Sequence, residues 1–402
     1  PSERQQWLPN IARHRLSIRH LASPKLTFEN DTAIADFTAF DAELAWATSL
    51  GMNLFQLPWA YVALGHGKKY TQRFGPIGEE AISDEFRRKF PNAMRVLGKH
   101  LDEKGILDRF NHNLFDEPNP KHYAQLREMA ALLRQGHPRY RPSVYGVGRA
   151  AADGELAGVI EEPIGAAWDP EVRDILRRRG GILTVYNPVQ VLNVTRRPEL
   201  ARGFGWWAWR CDLDRVYHWC IGPSGRSMHG HDYGSAWVFG NPGHDAFFST
   251  VRFEMLREGL EDYDYLTLFR QAFDEVAAKL KLTDIDSREC LDFFAAQLSE
   301  YQIVKQCIEP EKYLRMHNFL GTAIETFPKQ PLALFRLSPG KEPDSVRIQL
   351  WTEPGAKARV GADLRTVVSG MESFETTPGP DGAIDLVVTR NNRAKRLRIP
   401  VR

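Results

Sequence analysis

The stretch Phe110-Asn-His-Asn-Leu-Phe-Asp-Glu-Pro-Asn-Pro120 constrains this chain more than any other. Asn111, Asn113 and Phe115 alternate with His112 and Leu114, the period of two expected of a strand with unlike faces. Pro118 and Pro120 then forbid continuation of a ladder, because proline lacks the N–H donor and restricts the residue before it. From Lys121, the run Tyr123, Leu126, Met129, Ala130, Leu133 has helical spacing. Asp116 and Glu117 therefore fall on a strand-to-helix turn, which in a parallel α/β protein is where active sites gather. A second reading stands beside this one: negative charge is also favoured at a helix N-terminus, so the pair equally suits a helix cap.

The same rhythm recurs along the chain. A short strand is expected within Arg13–Leu21, a helix over Thr38–Leu50, and a strand over Asn53–Leu57 that stops at Pro58-Trp59. The aperiodic, glycine-rich segment Gly65–Gly78 is long enough to be a functional loop. A helix from about Ser83 to Lys104, kinked or divided at Phe90-Pro91, leads into the central strand. Further on, Arg141–Tyr145, Gly158–Ile160 and Ile164–Trp168 are extended; Asp169 caps a helix over Pro170–Arg179, and Gly180-Gly181 ends it. Ile182–Tyr186 is a buried strand stopping at Asn187-Pro188, and Gly203–Trp209 is the last of the series.

Strands alternating with helices predict a parallel sheet, and a (β/α)8 TIM-like barrel is the closest match, although its third strand, expected between residues 60 and 100, is not visible. A doubly wound open sheet is the alternative. No glycine-rich phosphate fingerprint follows the first strand, so a nucleotide cofactor has no support and none is expected. Helices are expected over Phe247–Leu280, Ser287–Glu300 and Pro310–Thr326, and a small antiparallel β domain from Pro331. The expected division is a catalytic domain over residues 1–328 and a small sandwich-like domain over 329–402.

The 53 basic and 51 acidic residues of the 402 are spread along the chain without a basic tail, so nucleic acid is not an expected partner. No apolar run approaches the roughly 18 residues of a spanning helix, so no membrane partner is expected. Cys211, Cys220, Cys290 and Cys307 form no C-x-x-C pair. The chain opens at Pro1, which suggests processing, and a secreted or periplasmic location is favoured over a cytoplasmic one.

Two stretches, Asn113-Leu-Phe-Asp-Glu-Pro118 and Ser249-Thr-Val-Arg-Phe-Glu-Met-Leu-Arg-Glu-Gly-Leu-Glu-Asp-Tyr-Asp-Tyr-Leu266, resemble glycoside hydrolase family 123. With Tyr186-Asn187-Pro188 and the tryptophan-rich segment, the likeness covers roughly residues 10 to 325. It implies a (β/α)8 barrel, a glycan substrate and β-N-acetylgalactosaminidase activity. It also implies roles: Glu117 protonates the leaving oxygen, and Asp116 holds the amide N–H of a substrate whose own acetamido oxygen attacks. Such proteins usually carry a β-sandwich before the barrel, which this sequence does not show.

Aromatic residues should complete the site. Trp207 and Trp209 would share one face of the last strand, Trp59 and Trp168 fall near strand ends, and Tyr186 could hydrogen-bond the amide oxygen. Core filling is the alternative role for each of these tryptophans. Asn187 is a candidate ligand for a sugar hydroxyl, or a turn residue before Pro188. His229-Gly-His231-Asp232, with His244 and Asp245, offers nitrogen and oxygen ligands but lacks the i, i+4 helical spacing of the zinc proteases. No metal is assigned, and His231 is taken as a candidate for the substrate mouth.

Overall fold

The computed structural model describes residues 3–17, 20–60, 74, 82–165, 168–186, 197–217, 238–240, 247–302 and 305–401. The chain forms two compact units, one of residues 1–189, 213–228 and 238–248, the other of residues 190–212, 229–237 and 249–402.

The first unit contains α1 (Glu3–Arg13), β1 (Lys25–Glu29), β2 (Thr32–Asp36), α2 (Thr38–Ser49), β3 (Phe55–Gln56), α3 (Asp84–Glu103), β4 (Phe110–Phe115), α4 (Tyr123–Gly136), β5 (Pro142–Tyr145), α5 (Gly148–Ala152), β6 (Glu162–Gly165), α6 (Pro170–Arg178), β7 (Thr184–Tyr186) and β8 (Arg215–Tyr217). A short pair, β9 (Val238–Gly240) and β10 (Phe247–Ser249), follows. Strands β3 to β8 form one parallel sheet in sequence order. This is not the closed eight-stranded barrel that the alternation suggested: among the described residues the sheet has six strands, and β3 and β8 are its two open edges.

Two expected strands account for much of the difference. Arg13 ends α1, and no strand lies in the described part of 13–21. Gly203–Trp209 belongs to helix α7 (Glu199–Arg210) of the second unit. There Leu200, Phe204, Trp207 and Ala208 recur at helical spacing; burial on nearly every side hides that period and lets alternate tryptophans imitate a strand. The segment 158–160 is a turn. Apart from Phe74, the loop 65–78 lies outside the described residues.

Local chemistry explains the elements that were foreseen. Ser83 Oγ accepts from Phe86 N to start α3, which then runs undivided through Pro91. Its buried stripe of Phe86, Phe90, Met94, Leu97 and Leu101 binds both halves to one core. Asp169 Oδ1 accepts from Glu171 N and Val172 N to start α6, and Gly180 follows its end with φ +68°. The β1–β2 hairpin turns through Asn30-Asp31, both at positive φ (+46° and +63°), as a two-residue turn of the primed type requires.

The second unit joins α7, α8 (Val251–Lys279), α9 (Ser287–Leu298) and α10 (Pro310–Thr326) to strands β11 (Ala333–Pro339), β12 (Val346–Thr352), β13 (Lys357–Val360), β14 (Asp363–Thr366), β15 (Met371–Thr376), β16 (Ala383–Arg390) and β17 (Arg393–Pro400). The strands make two antiparallel sheets, β11-β12-β15 and β14-β13-β16-β17, whose inner residues share one core. Helices α7 and α8 cross with their backbones in contact: a Cβ on Gly205 would lie 1.8 Å from Gly259 O, and one on Gly259 would lie 2.2 Å from Arg202 O. Nearby, wholly buried Asp262 accepts from Trp206 Nε1 (2.9 Å) and Arg202 Nε (3.4 Å) and pairs with His317 Nδ1 (2.7 Å). A buried carboxylate is tolerable only with such partners.

Gly259→Ala should destabilise the fold by at least about 3 kcal/mol, since backbone cannot yield as a side chain does; urea unfolding measures this. The bond to Asp262 raises the His317 pKa above its ordinary 6.5. Its ion pair therefore stabilises fully below that value and the contribution fades as pH rises through the raised one. His317→Gln should remove this part of the pH dependence of the thermal midpoint.

Candidate active site

The carboxyl edge of the parallel sheet brings together residues from six strand ends. Pairing runs Asn113 with Ser143 and then Phe115 with Val144, so β4 carries one extra residue. Such a bulge reverses which face the following residues occupy. Phe115 joins the face of His112 and Val144 and lies 6.4 Å from the His122 ring, and Asp116 follows on the face of Asn113 and Ser143. Asp116 is half-buried and Glu117 exposed. Glu117 has φ +42°, in the left-handed region that costs a non-glycine residue about 1–2 kcal/mol. It packs beside Gly146, where an added Cβ would lie 3.7 Å from Glu117 Cα. Neither residue holds an N-cap position. Helical structure resumes in the turn Pro120–His122, whose N-cap is Asn119, and α4 has His122 at its N-cap.

The neighbouring strand ends supply rings. Trp59, just past β3, has φ +66° and a buried indole N–H without a hydrogen-bond partner. Tyr145 closes β5, Tyr186 closes β7 with its ring 4.6 Å from that of Tyr145, and Tyr217 closes β8 in register with Tyr186. Trp168, beyond β6, has the Arg173 guanidinium 5.9 Å from its ring centre.

Beneath these rings the inner face is polar, where a barrel interior would ordinarily be packed with branched apolar side chains. Glu162, 1% exposed, accepts from Thr184 Oγ1 (2.7 Å) and Arg215 Nη1 (2.8 Å) and is also bonded by Asn111, whose amide reaches Ser143 Oγ (2.9 Å). Burial pushes the Glu162 carboxyl up, against the opposing pull of Arg215 and the two hydrogen bonds. On the opposite face of β4, burial and the Arg215 charge push His112 down to about 3, so it is a neutral ring accepting Arg141 N–H at 2.7 Å.

Of the residues proposed from sequence, Asp116, Glu117, Trp59, Trp168 and Tyr186 stand at the ends of this one sheet. Trp207 and Trp209 do not join them. They lie on α7 of the second unit, 2% and 4% exposed; Trp207 Nε1 donates to Tyr301 O (3.0 Å), and Trp209 packs against Tyr263 and the guanidinium of Arg288. Rings so enclosed offer no face to a sugar. Asn187, His229, His231 and His244 lie outside the described residues. Tyr145 and Tyr217 were missed, although both carry the signal used for Tyr186, a tyrosine at the end of an extended run. Among the described residues no group of three His, Cys, Asp or Glu side chains is arranged to hold a metal, and no helix is long and apolar enough to cross a membrane.

Adjacent carboxylates and aromatic rings at the carboxyl edge of a parallel sheet define a class, the α/β catalytic domains of glycoside hydrolases. The chain belongs to glycoside hydrolase family 123, whose catalytic-domain model matches residues 27–269. Among solved structures it is similar to a family 123 glycoside hydrolase from Clostridium perfringens, described for glycolipid glycan hydrolysis, with a TM-score of 0.52 and 13% identity over 81% of this chain. That likeness is one of fold, and the chain spans 65% of the length of that relative. An FMN-binding β-glucuronidase from Facaelibacterium prausnitzii (TM-score 0.24, 8% identity, 94% of this chain and 59% of that one) and an Anoxybacillus α-amylase (0.29, 10%, 90% and 79%) align too loosely to inform the site. No curated protein matches.

Replacing Arg215 by Leu should cost about 3–5 kcal/mol near neutral pH, because it strands the buried Glu162 charge. The Glu162 carboxyl already sits above its ordinary 4.5, so the fold takes up a proton more readily than the unfolded chain does. The deficit should therefore shrink as pH falls through the raised value, which denaturant titrations at several pH values would measure.

Proposed function

We propose that this chain removes a β-linked N-acetylhexosamine, N-acetylgalactosamine in the first instance, by a retaining, substrate-assisted mechanism. The observation that carries the reading is Glu117, held exposed in a left-handed conformation at the end of β4 beside half-buried Asp116, with neither at the N-cap position of the helical turn that follows. Adjacent α-carbons are ~3.8 Å apart. Such a pair serves one side of a glycosidic bond, whereas an acid and an enzymic nucleophile must face each other across it.

The missing nucleophile is then the substrate's own acetamido oxygen. It attacks the anomeric carbon as the glycosidic bond breaks, and Glu117 gives its proton to the departing oxygen. Asp116 accepts the amide N–H and so supports the positive charge of the oxazolinium-like intermediate. Water next attacks the anomeric carbon as its bond to the acetamido oxygen breaks and yields its proton to Glu117; the acetamide is restored, and two inversions leave the configuration retained. An intramolecular nucleophile gains from its high effective molarity, and a positioned acid is worth roughly 10²–10⁴-fold. Tyr186 donates to the acetamido oxygen, Trp59 and Trp168 offer apolar faces to the sugar, and Asn187 and His231 serve hydroxyl groups at the mouth.

Aryl alcohol should be released from the N-acetyl-β-galactosaminide, more slowly from the N-acetyl-β-glucosaminide, and not from the plain β-galactoside. Cleavage of the plain galactoside would make the acetamido group dispensable and the mechanism wrong. Glu117→Gln should lower kcat by roughly 10²–10⁴-fold while sugar binding persists. Binding without turnover in the unaltered protein would instead mark a carbohydrate-binding protein, and turnover of other glycans alone a different specificity on the same scaffold.

A further inference from the structure

On the inner face of β4, two asparagines differ sharply. Asn113 is 0% exposed, yet neither its amide oxygen nor its amide nitrogen has a hydrogen-bond partner. Asn111, two residues earlier on β4, is satisfied by Ser143 and Glu162. Buried amides are almost always satisfied, because an unpaired donor or acceptor gives up water and receives nothing in return. A leucine has nearly the same shape and would fill position 113 without that loss. The extra residue on β4 falls directly after Asn113 and returns Asp116 to the face Asn113 occupies. The unsatisfied amide and the inner carboxylate of the acidic pair thus belong to one strand and one face, three residues apart.

We propose that Asn113 is a positioning residue for the acidic pair, its amide N–H kept for the Asp116 carboxylate when that group turns to engage the substrate's acetamido N–H. The inference rests on the substrate-assisted reading given above. In the engaged state one oxygen of Asp116 accepts from Asn113 and the other from the substrate, so two donors fix the carboxylate from opposite ends. The acetamido group is then held with its oxygen in line with the anomeric carbon. The effect is on alignment rather than on ground-state affinity, and a displacement of about 1 Å in such a group is worth on the order of 10²-fold in rate.

The test compares Asn113→Leu and Asn113→Ser with the unaltered chain on an aryl N-acetyl-β-galactosaminide, with thermal midpoints. Calorimetric binding of a thiazoline analogue of the oxazolinium intermediate completes it. Asn113→Leu should melt at or above the unaltered chain, with kcat lowered about 30–100-fold, KM changed less than about threefold, and thiazoline affinity reduced in parallel with kcat. The serine variant, which keeps a donor, should recover part of the loss. The proposal is overturned if kcat of Asn113→Leu stays within about threefold of the unaltered chain, or if it falls only in step with the midpoint. Failure of the underlying reading has a separate signature: the unaltered chain would neither cleave the acetamido glycoside nor bind the thiazoline, and the role assigned to Asn113 would fall with it.

Discussion

A single buried carboxylate organises the first unit. Glu162 opens β6 and draws bonds from Asn111 on β4, Thr184 on β7 and Arg215 on β8, while Ser143 on β5 also accepts from the Asn111 amide nitrogen. Five of the six parallel strands are thereby tied through side chains as well as through their ladders. A closed barrel needs no such device, because its strands enclose an apolar filling on every side. In this open sheet the inner face is polar, and its strands keep their order through directional bonds around one charge. Directional bonds also fix register, which decides where along each strand the chain stops and turns. The gathering of Trp59, Asp116, Tyr145 and Tyr186 along one edge follows from that register.

How much of this was legible in the sequence depended on range. Features written within a few residues came through: the stop at Pro118 and Pro120, the Asp169 cap and Gly180 end of α6, and α10 with the bounds Pro310–Thr326. Features that depend on what packs alongside did not. The segment Gly203–Trp209 is rich in residues that favour strands, but Gly203 and Gly205 let neighbouring chain approach its backbone so closely that only a helix buried on nearly all sides fits. The bulge after Asn113 has no sequence signature, yet it alone places Asp116 on the inner face. The pairing of Tyr145 with Tyr186 is invisible for the same reason, since 41 positions separate residues whose rings lie 4.6 Å apart.

The long stretch Ser249–Leu266 that resembles family 123 has an architectural explanation here. Gly259 admits the backbone of α7, Asp262 gathers Trp206, Arg202 and His317, Tyr263 packs on Trp209, and Leu266 is core. Arg257 pairs with Glu254, Glu258 and Glu261 along the helix surface. The residues of this stretch are thus accounted for by a backbone-to-backbone crossing and a buried carboxylate, which leave little room for other side chains.

The turn that carries the acidic pair has a further property. Between the last residue of β4 and the helical turn at Pro120 lie only four residues, and prolines at 118 and 120 fix φ at two of the five positions from 116 to 120. Loops that bind ligands usually lose conformational entropy when they do so. This one has little to lose, so its backbone holds Asp116 and Glu117 at almost no entropic cost. The turn is therefore the stiffest part of the sheet's carboxyl edge, and variation in length or shape is left to the connections that follow the other strands.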